Sequence, residues 1–592
     1  MLAGAGKIAW MSFFATHASA DDTAKQDFPP LICSAFIALP FLFPIAAGPS
    51  VNVWQQLASW LCIAAVLLLL SGAKHLKPHL SLTLWLAVSA ALIAVFHSPR
   101  LGIGPSLSAV TVVFATGMAA FAGAALVQDR ARMQAALAHG LLWAGAVSAV
   151  LGLLQYYGLA GALVPWTTVP PEGQAFGNLR QRNQFASLIS MALIAALWLY
   201  ARYRGGPVRR RLLWVGVVSL LLIAAAASTS RTGLLEVVAI VGVAAFIARR
   251  ERRAGRADSE AVTRLPAPLV LLSWIPLYFA IAWLLPQLAG SGVDSMVQRL
   301  SEGAPMGHSR LILWNNVLTL IAERPWTGWG WGELSFAHYM HSTLYPGARF
   351  VEILDNAHNL PLHLAVELGI PAAVLICGGF LWLVIAAKPW REREPFRLVA
   401  WGLLGVIVLH SLLEYPLWYG PFQLVFGLCL GILWPAVNCR DAAARRWTQK
   451  LPAASAAVLM AVFGYASWDY TRISQIYLPR DERLHAYEDN TLGKVQGSWL
   501  FANQVHFATL TLTPVTRANA AEMHALAERI LHFSPEPRVI VKLIESAELS
   551  GREDEARIQA QRFAASFPLE YENWLQEQAD HRGPSGLFIS SR

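Results

Sequence analysis

Charge is scarce in this chain. Of 592 residues, Asp, Glu, Lys and Arg together make up 14%, where a soluble domain carries about a quarter. That excludes a water-soluble globular protein for most of the length. Cysteine is scarce as well: there are five, and Cys33, Cys62, Cys377 and Cys429 stand singly in apolar stretches. There is no CxxC pair and no clustered His/Cys ligand set, so neither a disulfide framework nor a zinc site is expected. Internal repeats are missing, which counts against a transporter built from repeated halves.

What is present is apolar length. Hydrophobic residues make up 55% of the chain, with 23 Trp. Many stretches exceed the roughly 18 apolar residues that mark a spanning helix. We read about thirteen spans, near 31–47, 53–70, 80–97, 106–127, 136–157, 184–201, 212–228, 233–248, 268–286, 360–386, 398–412, 417–436 and 451–468. The expected fold class is all-α, a polytopic transmembrane helical bundle. Residues 1–30 are mildly polar and are expected to form a cytoplasmic lead-in.

The net charge of +9 does not point to nucleic acid, because the basic residues lie in short loops between spans. Loop 202–211 holds five Arg and loop 249–267 holds six, and Lys and Arg also fill 71–79, 128–135, 387–397 and 437–450. The alternate short loops hold only Arg100, Arg180, Arg182 and Arg231. Positive loops stay inside, so the N-terminus is expected inside and the C-terminal tail outside. A long loop, 287–357, also falls outside, and loops of that length usually carry function. In it Leu311, Trp314, Leu318 and Ile321 recur at helical spacing and predict a re-entrant or interfacial helix.

The chain from 469 to 592 is amphipathic rather than apolar. Ala520, Met523, Ala527, Ile530 and Leu531 form one stripe; Ile540, Leu543, Ile544 and Ala547 form a second. Gly551 intervenes, and Ala560, Phe563, Ala564 and Phe567 form a third. This pattern predicts a helical, tetratricopeptide-like (TPR-like) soluble domain. It would serve either as a docking domain or as a cap on the bundle.

Five polar groups fall at helix ends on the expected outer face. Gly177-Asn178-Leu179-Arg180-Gln181-Arg182-Asn183 opens one span, where free N–H groups favour an anion. Ser228-Thr229-Ser230-Arg231-Thr232-Gly233 is a polar knot between two apolar helices. Gly307-His308-Ser309-Arg310 starts the loop helix, with a cation opposing the helix dipole, and a Gly/Trp turn follows at 325–332. Asp355-Asn356-Ala357-His358-Asn359 meets the mouth of a long apolar segment, and His410-Ser-Leu-Leu-Glu414-Tyr415-Pro416-Leu417 forms a tight turn. Each has a plainer reading: Asn359 as a helix cap, Arg182 and Arg231 snorkelling to lipid headgroups, the Trp residues as an interfacial belt. Together, two Arg and a His suggest a pyrophosphate-bearing substrate. Guanidinium groups bind phosphate in a fork, and imidazole takes up protons near neutral pH. Asp355 and Glu352 offer too few oxygens for a hard cation, so no metal and no cofactor is expected.

At these residues the chain resembles the bacterial O-antigen ligase and polymerase superfamily, and within it the pilin-type O-oligosaccharyltransferases of the PglL kind. The resemblance rests on the Ser-Arg-Thr-Gly knot, the Gly-x-x-Arg-x-x-x-Trp helix with its Gly-Trp-Gly turn, and the Ala-His-Asn junction. Gly-Asn-Leu-x-Gln-x-Asn, His-x-x-x-Glu-Tyr-Pro-Leu and the long tail resemble the oligosaccharyltransferase branch in particular. Where that branch often carries Pro-x-x-x-Phe-x-x-Glu-Trp, this chain reads Pro49-Ser-Val-Asn-Val-Trp54-Gln, without the Glu. The resemblance implies a bacterial inner-membrane enzyme with a periplasmic active site and tail. It would transfer a glycan from undecaprenyl pyrophosphate to Ser or Thr hydroxyls of a periplasmic protein such as pilin. Carried over, His358, Arg231 and Arg310 would be catalytic and Gln181 and Tyr415 would bind substrate; Asn359, Arg182 and Glu414, polar groups of the same motifs, are expected to bind substrate with them. His358 would act as general base or steady the attacking hydroxyl, the two Arg would clamp pyrophosphate, and direct displacement would invert the anomeric centre. An O-antigen ligase, a polymerase and, more distantly, a flippase are the alternatives.

Overall fold

A computed structural model of the protein describes residues 20–71, 76–128, 131–257, 264–288, 309–342, 348–438 and 442–582. Regular structure among the described residues is helical, apart from the isolated His97–Trp331 bridge and a two-residue antiparallel pairing of Leu76–Lys77 with Val437–Asn438. Nine described helices are long and apolar enough to cross a membrane: Val53–Leu70, Gly104–Val127, Met133–Tyr156, Arg182–Arg202, Val208–Ala227, Arg231–Ala254, Pro268–Leu288, Ile370–Arg391 and Lys450–Tyr477. Four shorter apolar helices, Pro29–Leu42, Leu80–Val95, Pro395–Ser411 and Gly420–Leu433, lie among them. This is a multi-pass membrane protein. Its first helix begins at Ala20, inside the expected lead-in, and residues 1–19 lie outside the described residues.

The centre of the bundle is set by small residues. Gly420–Leu433 is buried along its whole length. It lies so close to Gly104–Val127 that a Cβ on Gly431 would overlap the Ala120 carbonyl oxygen, and one on Gly123 the Leu428 carbonyl oxygen. In lipid there is no hydrophobic drive between helices, so close backbone approach and dispersion contacts take its place.

The expected span at 360–386 is two pieces. Leu360–Leu368 ends at Gly369, whose φ of 86° and ψ of 160° suit glycine, and the chain resumes at Ile370. Backbone groups at the break are matched by the Gly/Trp turn: Trp329 N donates to Val366 O (2.9 Å), Gly330 N to Glu367 O (2.9 Å), and Ile370 N to Pro325 O (2.8 Å). Trp331 N donates to Phe96 O at 2.8 Å. A broken helix is tolerated at membrane depth only where neighbouring protein satisfies the freed groups, and this turn does so. Trp326 alone remains strongly exposed, as an interfacial anchor would be.

The loop helix forms as Arg310–Glu323, but it buries a different stripe from the expected one. Leu313, Asn316, Val317, Leu320 and Ile321 face inward, while Leu311 and Leu318 are exposed. Asn316 explains the rotation: its Oδ1 accepts from Phe350 N (2.8 Å) and pairs with His338 Nε2 (3.2 Å), anchoring a polar residue within the apolar face.

Beyond Ala442–Ser474, the tail winds through Ala502–Leu512, Ala520–Phe533, Pro537–Leu549, Glu553–Ser566 and Pro568–Arg582. Their inward stripes, including Met523, Ile530, Ile540, Leu543, Phe563 and Phe567, form one core that also takes in Tyr339 of the long loop. Polar ties fasten the tail to the membrane part. Asn503 Nδ2 donates to Leu101 O (2.9 Å), His532 Nδ1 bonds Glu333 Oε2 (2.8 Å), and Arg349 Nη1 donates to Ser566 O (2.8 Å). The first interhelical loop joins them: the Tyr470 hydroxyl donates to Ser50 O at 2.7 Å and accepts from Ser50 N at 2.9 Å. The tail and the five polar groups therefore share one end of the bundle.

Candidate active site

Glu414 is the hub of that end. It sits in the turn between Pro395–Ser411 and Gly420–Leu433 with 3% of its side chain exposed. Oε1 accepts from Asn183 Nδ2 at 2.9 Å and also from Arg310 Nη2; Oε2 bonds His358 Nδ1 at 2.7 Å. Asn183 in turn accepts from the Ser230 hydroxyl at 2.7 Å. One carboxylate thus joins four of the sequence motifs to the fifth, its own.

The local chain explains each placement. His358 sits at φ 49°, a left-handed conformation that is uncommon for a residue with a Cβ. Its N–H donates to Asn356 Oδ1 at 2.9 Å, an Asx turn that holds the bend. Asn359 is the helix cap: it accepts from Leu362 N (3.1 Å) and donates to Leu412 O (3.0 Å), locking the His358 junction to the Glu414 turn. Arg310 opens its helix behind the Ser309 cap, and the anion answering its charge is Glu414. One turn on, Trp314 Nε1 donates to Ala357 O at 3.1 Å, so the same helix holds both the Glu414 turn and the His358 junction. Gly233 lets the knot approach, since a Cβ there would overlap Ala186. Thr229 and Arg180 also have positive φ, at 47° and 58°.

Burial alone would raise the Glu414 carboxyl. The hydrogen bond from His358 and the charges on His358, Arg310 and His410 reverse this and hold it below the ordinary carboxylate value. An ionised carboxylate only accepts, so His358 Nδ1 carries a proton, and in the neutral form of the ring it is Nε2 that holds the lone pair. Tyr415 packs edge-on to His358, with ring centroids 5.0 Å apart. Burial, followed by neighbouring Tyr419, raises its phenol, which stays a neutral donor.

The remaining expected residues lie around this hub. Arg182 Nη1 donates to Thr229 Oγ1 at 3.3 Å, tying the first motif to the knot. Arg231 opens the next helix, directly after Ser230, with its side chain exposed. Gln181 occupies the cap position before Arg182, and its Oε1 is buried without a hydrogen-bond partner. Arg310 Nη1 is likewise buried and unpartnered. The orphaned Arg310 donor, on the side chain that reaches Glu414, suits an anionic ligand, and the orphaned Gln181 acceptor suits a hydroxyl group. Arg180, by contrast, turns away, donating to Pro44 O (2.6 Å) and Val51 O (3.3 Å) in the first loop. His308 lies outside the described residues.

Asn183 and Ser230 lay inside the quoted motifs yet were passed over for their charged neighbours. A further group was missed altogether: below the hub, the Ser187 hydroxyl donates to Glu236 Oε1 (2.5 Å) and bonds His410 Nδ1 (2.8 Å). The signal for it was present, because an acid such as Glu236 within an apolar span is expensive and usually functional.

The sequence profile of the O-antigen ligase family matches residues 216–377, the stretch that carries Arg231, Arg310 and His358. The protein glycosylation ligase profile matches residues 175–200. The chain is thus similar to the O-antigen ligase family through its central third and to the protein glycosylation ligases over a short stretch before it. The profile for the C-terminal part of virulence factor membrane-bound polymerases matches residues 398–581, from before Glu414 through the tail. Among curated relatives, the chain is 27% identical over 320 residues to a General O-oligosaccharyltransferase of Acinetobacter baylyi, covering 52% of this chain and 51% of that protein. It is 27% identical over 128 residues to a ComP-specific O-oligosaccharyltransferase of the same species, covering 22% of this chain and 23% of that protein. The chain therefore spans about half the length of the first relative and less than a quarter of the second.

Proposed function

We propose that this protein is a protein O-oligosaccharyltransferase. It moves a preassembled glycan from an undecaprenyl-pyrophosphate carrier to a Ser or Thr hydroxyl of a pilin-like protein. The observation that carries this reading is the Glu414 hub, which fixes a histidine and an arginine on one carboxylate. The acceptor oxygen attacks the anomeric carbon while its proton passes to His358 Nε2. The bond from that carbon to the pyrophosphate oxygen breaks, and its electron pair leaves on the phosphate. Arg310 and Arg231 neutralise the charge that develops there. Displacement in one step inverts the anomeric centre. Guanidinium groups supply the cationic charge, and Glu414 already accepts from three donors, so the reaction proceeds without a metal ion.

The Lys/Arg pattern of the loops supports a thirteen-span topology with the site and tail on the periplasmic side of the inner membrane. The tail, read as tetratricopeptide-like hairpins, receives the acceptor protein. The match to a polymerase profile over 398–581 favours a second reading, in which the acceptor is another lipid-linked glycan.

A glycosylation assay in a strain with a lipid-linked glycan and a candidate pilin tests both. A glycan-sized mass increase on the pilin that requires this chain and His358 supports the first reading. Lengthening of the lipid-linked glycan with no change in the pilin replaces it with the second. Retained transfer in a His358→Ala variant removes His358 from the mechanism.

A further inference from the structure

In the tail, His524 has 1% of its side chain exposed, yet its Nε2 makes no hydrogen bond. That nitrogen faces two carboxylates. Glu555 Oε1 lies 3.3 Å away and Glu528 Oε1 3.8 Å away, and the three ligand atoms lie within 4.8 Å of one another. His524 and Glu528 are four residues apart on one face of Ala520–Phe533, and Glu555 comes from the first turn of Glu553–Ser566. Behind the ring, Nδ1 lies 3.4 Å from the buried Ser546 hydroxyl. That hydroxyl spends its only proton on Leu543 O at 3.1 Å, so it can only accept from His524. Nδ1 is therefore the protonated nitrogen, and the Nε2 lone pair points at two anions. A lone pair aimed at two carboxylates is repulsive unless a cation lies between them.

We propose that His524, Glu528 and Glu555 bind a divalent transition-metal ion, with zinc the best match to one imidazole and two carboxylates. Three protein ligands leave one position of a tetrahedral ion for water. Ser546 orients the imidazole, as partners behind metal-bound histidines do. Arg552 holds the other Glu555 oxygen, with Nη1 3.6 Å from Oε2, and leaves Oε1 for the ion. The ion ties Ala520–Phe533 to Glu553–Ser566 across the helix between them, stiffening the part of the tail that packs on the long loop. The sequence lacked any metal signal because the third ligand is distant in the chain and no Cys takes part.

The test uses the full chain, purified in detergent with a non-histidine tag, stripped with chelator and titrated with Zn²⁺ against a chromogenic chelator. The expected result is one tight equivalent per chain and a higher melting temperature with Zn²⁺. Both should be lost in Glu555→Gln and in Glu528→Gln, and Ser546→Ala should weaken binding by about tenfold. Glu528 is 56% exposed, so its variant tests the ion without threatening the fold. Equal Zn²⁺ binding by the wild type and both Gln variants overturns the site. So does an unchanged melting temperature with no tight equivalent, which would mean that a protonated His524 is the cation.

Discussion

Glu414→Gln is the sharpest probe of the candidate site, because the amide has the same shape and lacks the charge. Glu414 accepts from His358, Arg310 and Asn183 at once. A glutamine has one acceptor oxygen. If that oxygen faces His358, its NH₂ points at Arg310 and Asn183, which are both donors. If it faces Arg310 and Asn183, its NH₂ meets His358 Nδ1, which must then give up its proton. The lone pair moves off Nε2, and the base is lost. An amide in place of the carboxylate behind a catalytic histidine lowers the rate about 10⁴-fold in a well-studied hydrolase, or about 5.5 kcal/mol in barrier. The stability loss should be smaller. Charge-assisted hydrogen bonds contribute about 1.5–3 kcal/mol each. Arg310 and His358 are 36% and 23% exposed and can turn to water, so we expect about 1–3 kcal/mol in total. The assay is glycan transfer to acceptor protein by the purified variant, with melting temperature measured in parallel. A variant that keeps transfer within about threefold of wild type would refute the tautomer argument.

Four further outcomes are expected. Arg310→Lys keeps the charge but loses the planar fork, so transfer should fall by about tenfold or more while membrane levels hold; quantitative immunoblotting beside the transfer assay separates the two. Because the folded Glu414 carboxyl lies below its ordinary value, its stabilisation is present above the unfolded value and is lost as pH falls through the folded one. The melting-temperature gap between wild type and Glu414→Gln should be present at about pH 5 and close as pH falls below that; a gap that persists undiminished to about pH 2 contradicts the ion pair. Gly369→Ala should destabilise the chain by about 1–3 kcal/mol from backbone strain alone, since its φ is 86°, and the overlap of the new methyl with the Trp326 carbonyl adds to this; thermal unfolding reads it. Gly431→Leu should separate the two central helices and lower folded yield on size exclusion, whereas Gly464→Leu, with open space around it, should not.

The linear chain by itself determined the all-helical, membrane-spanning character and most helix positions. These follow from apolar length and periodicity, which are local properties. It also pointed to the five polar segments, because a charged or titratable group at the end of an apolar span stands out in composition. Only the tertiary structure decided which of those groups meet. Glu414 was read as a binding residue, yet it is the hub, because three donors from segments far apart in the chain converge on it. Asn183, Ser230, Ser187 and Glu236 became visible through the same long-range pairings. The break at Gly369 was hidden because its missing backbone partners come from residues 325–330, some forty positions away. The buried stripe of the Arg310 helix turned because Asn316 has partners at His338 and Phe350. Hydropathy records what a residue prefers to leave water for; a hydrogen bond across the fold depends on where its partner lies, and that information is not local.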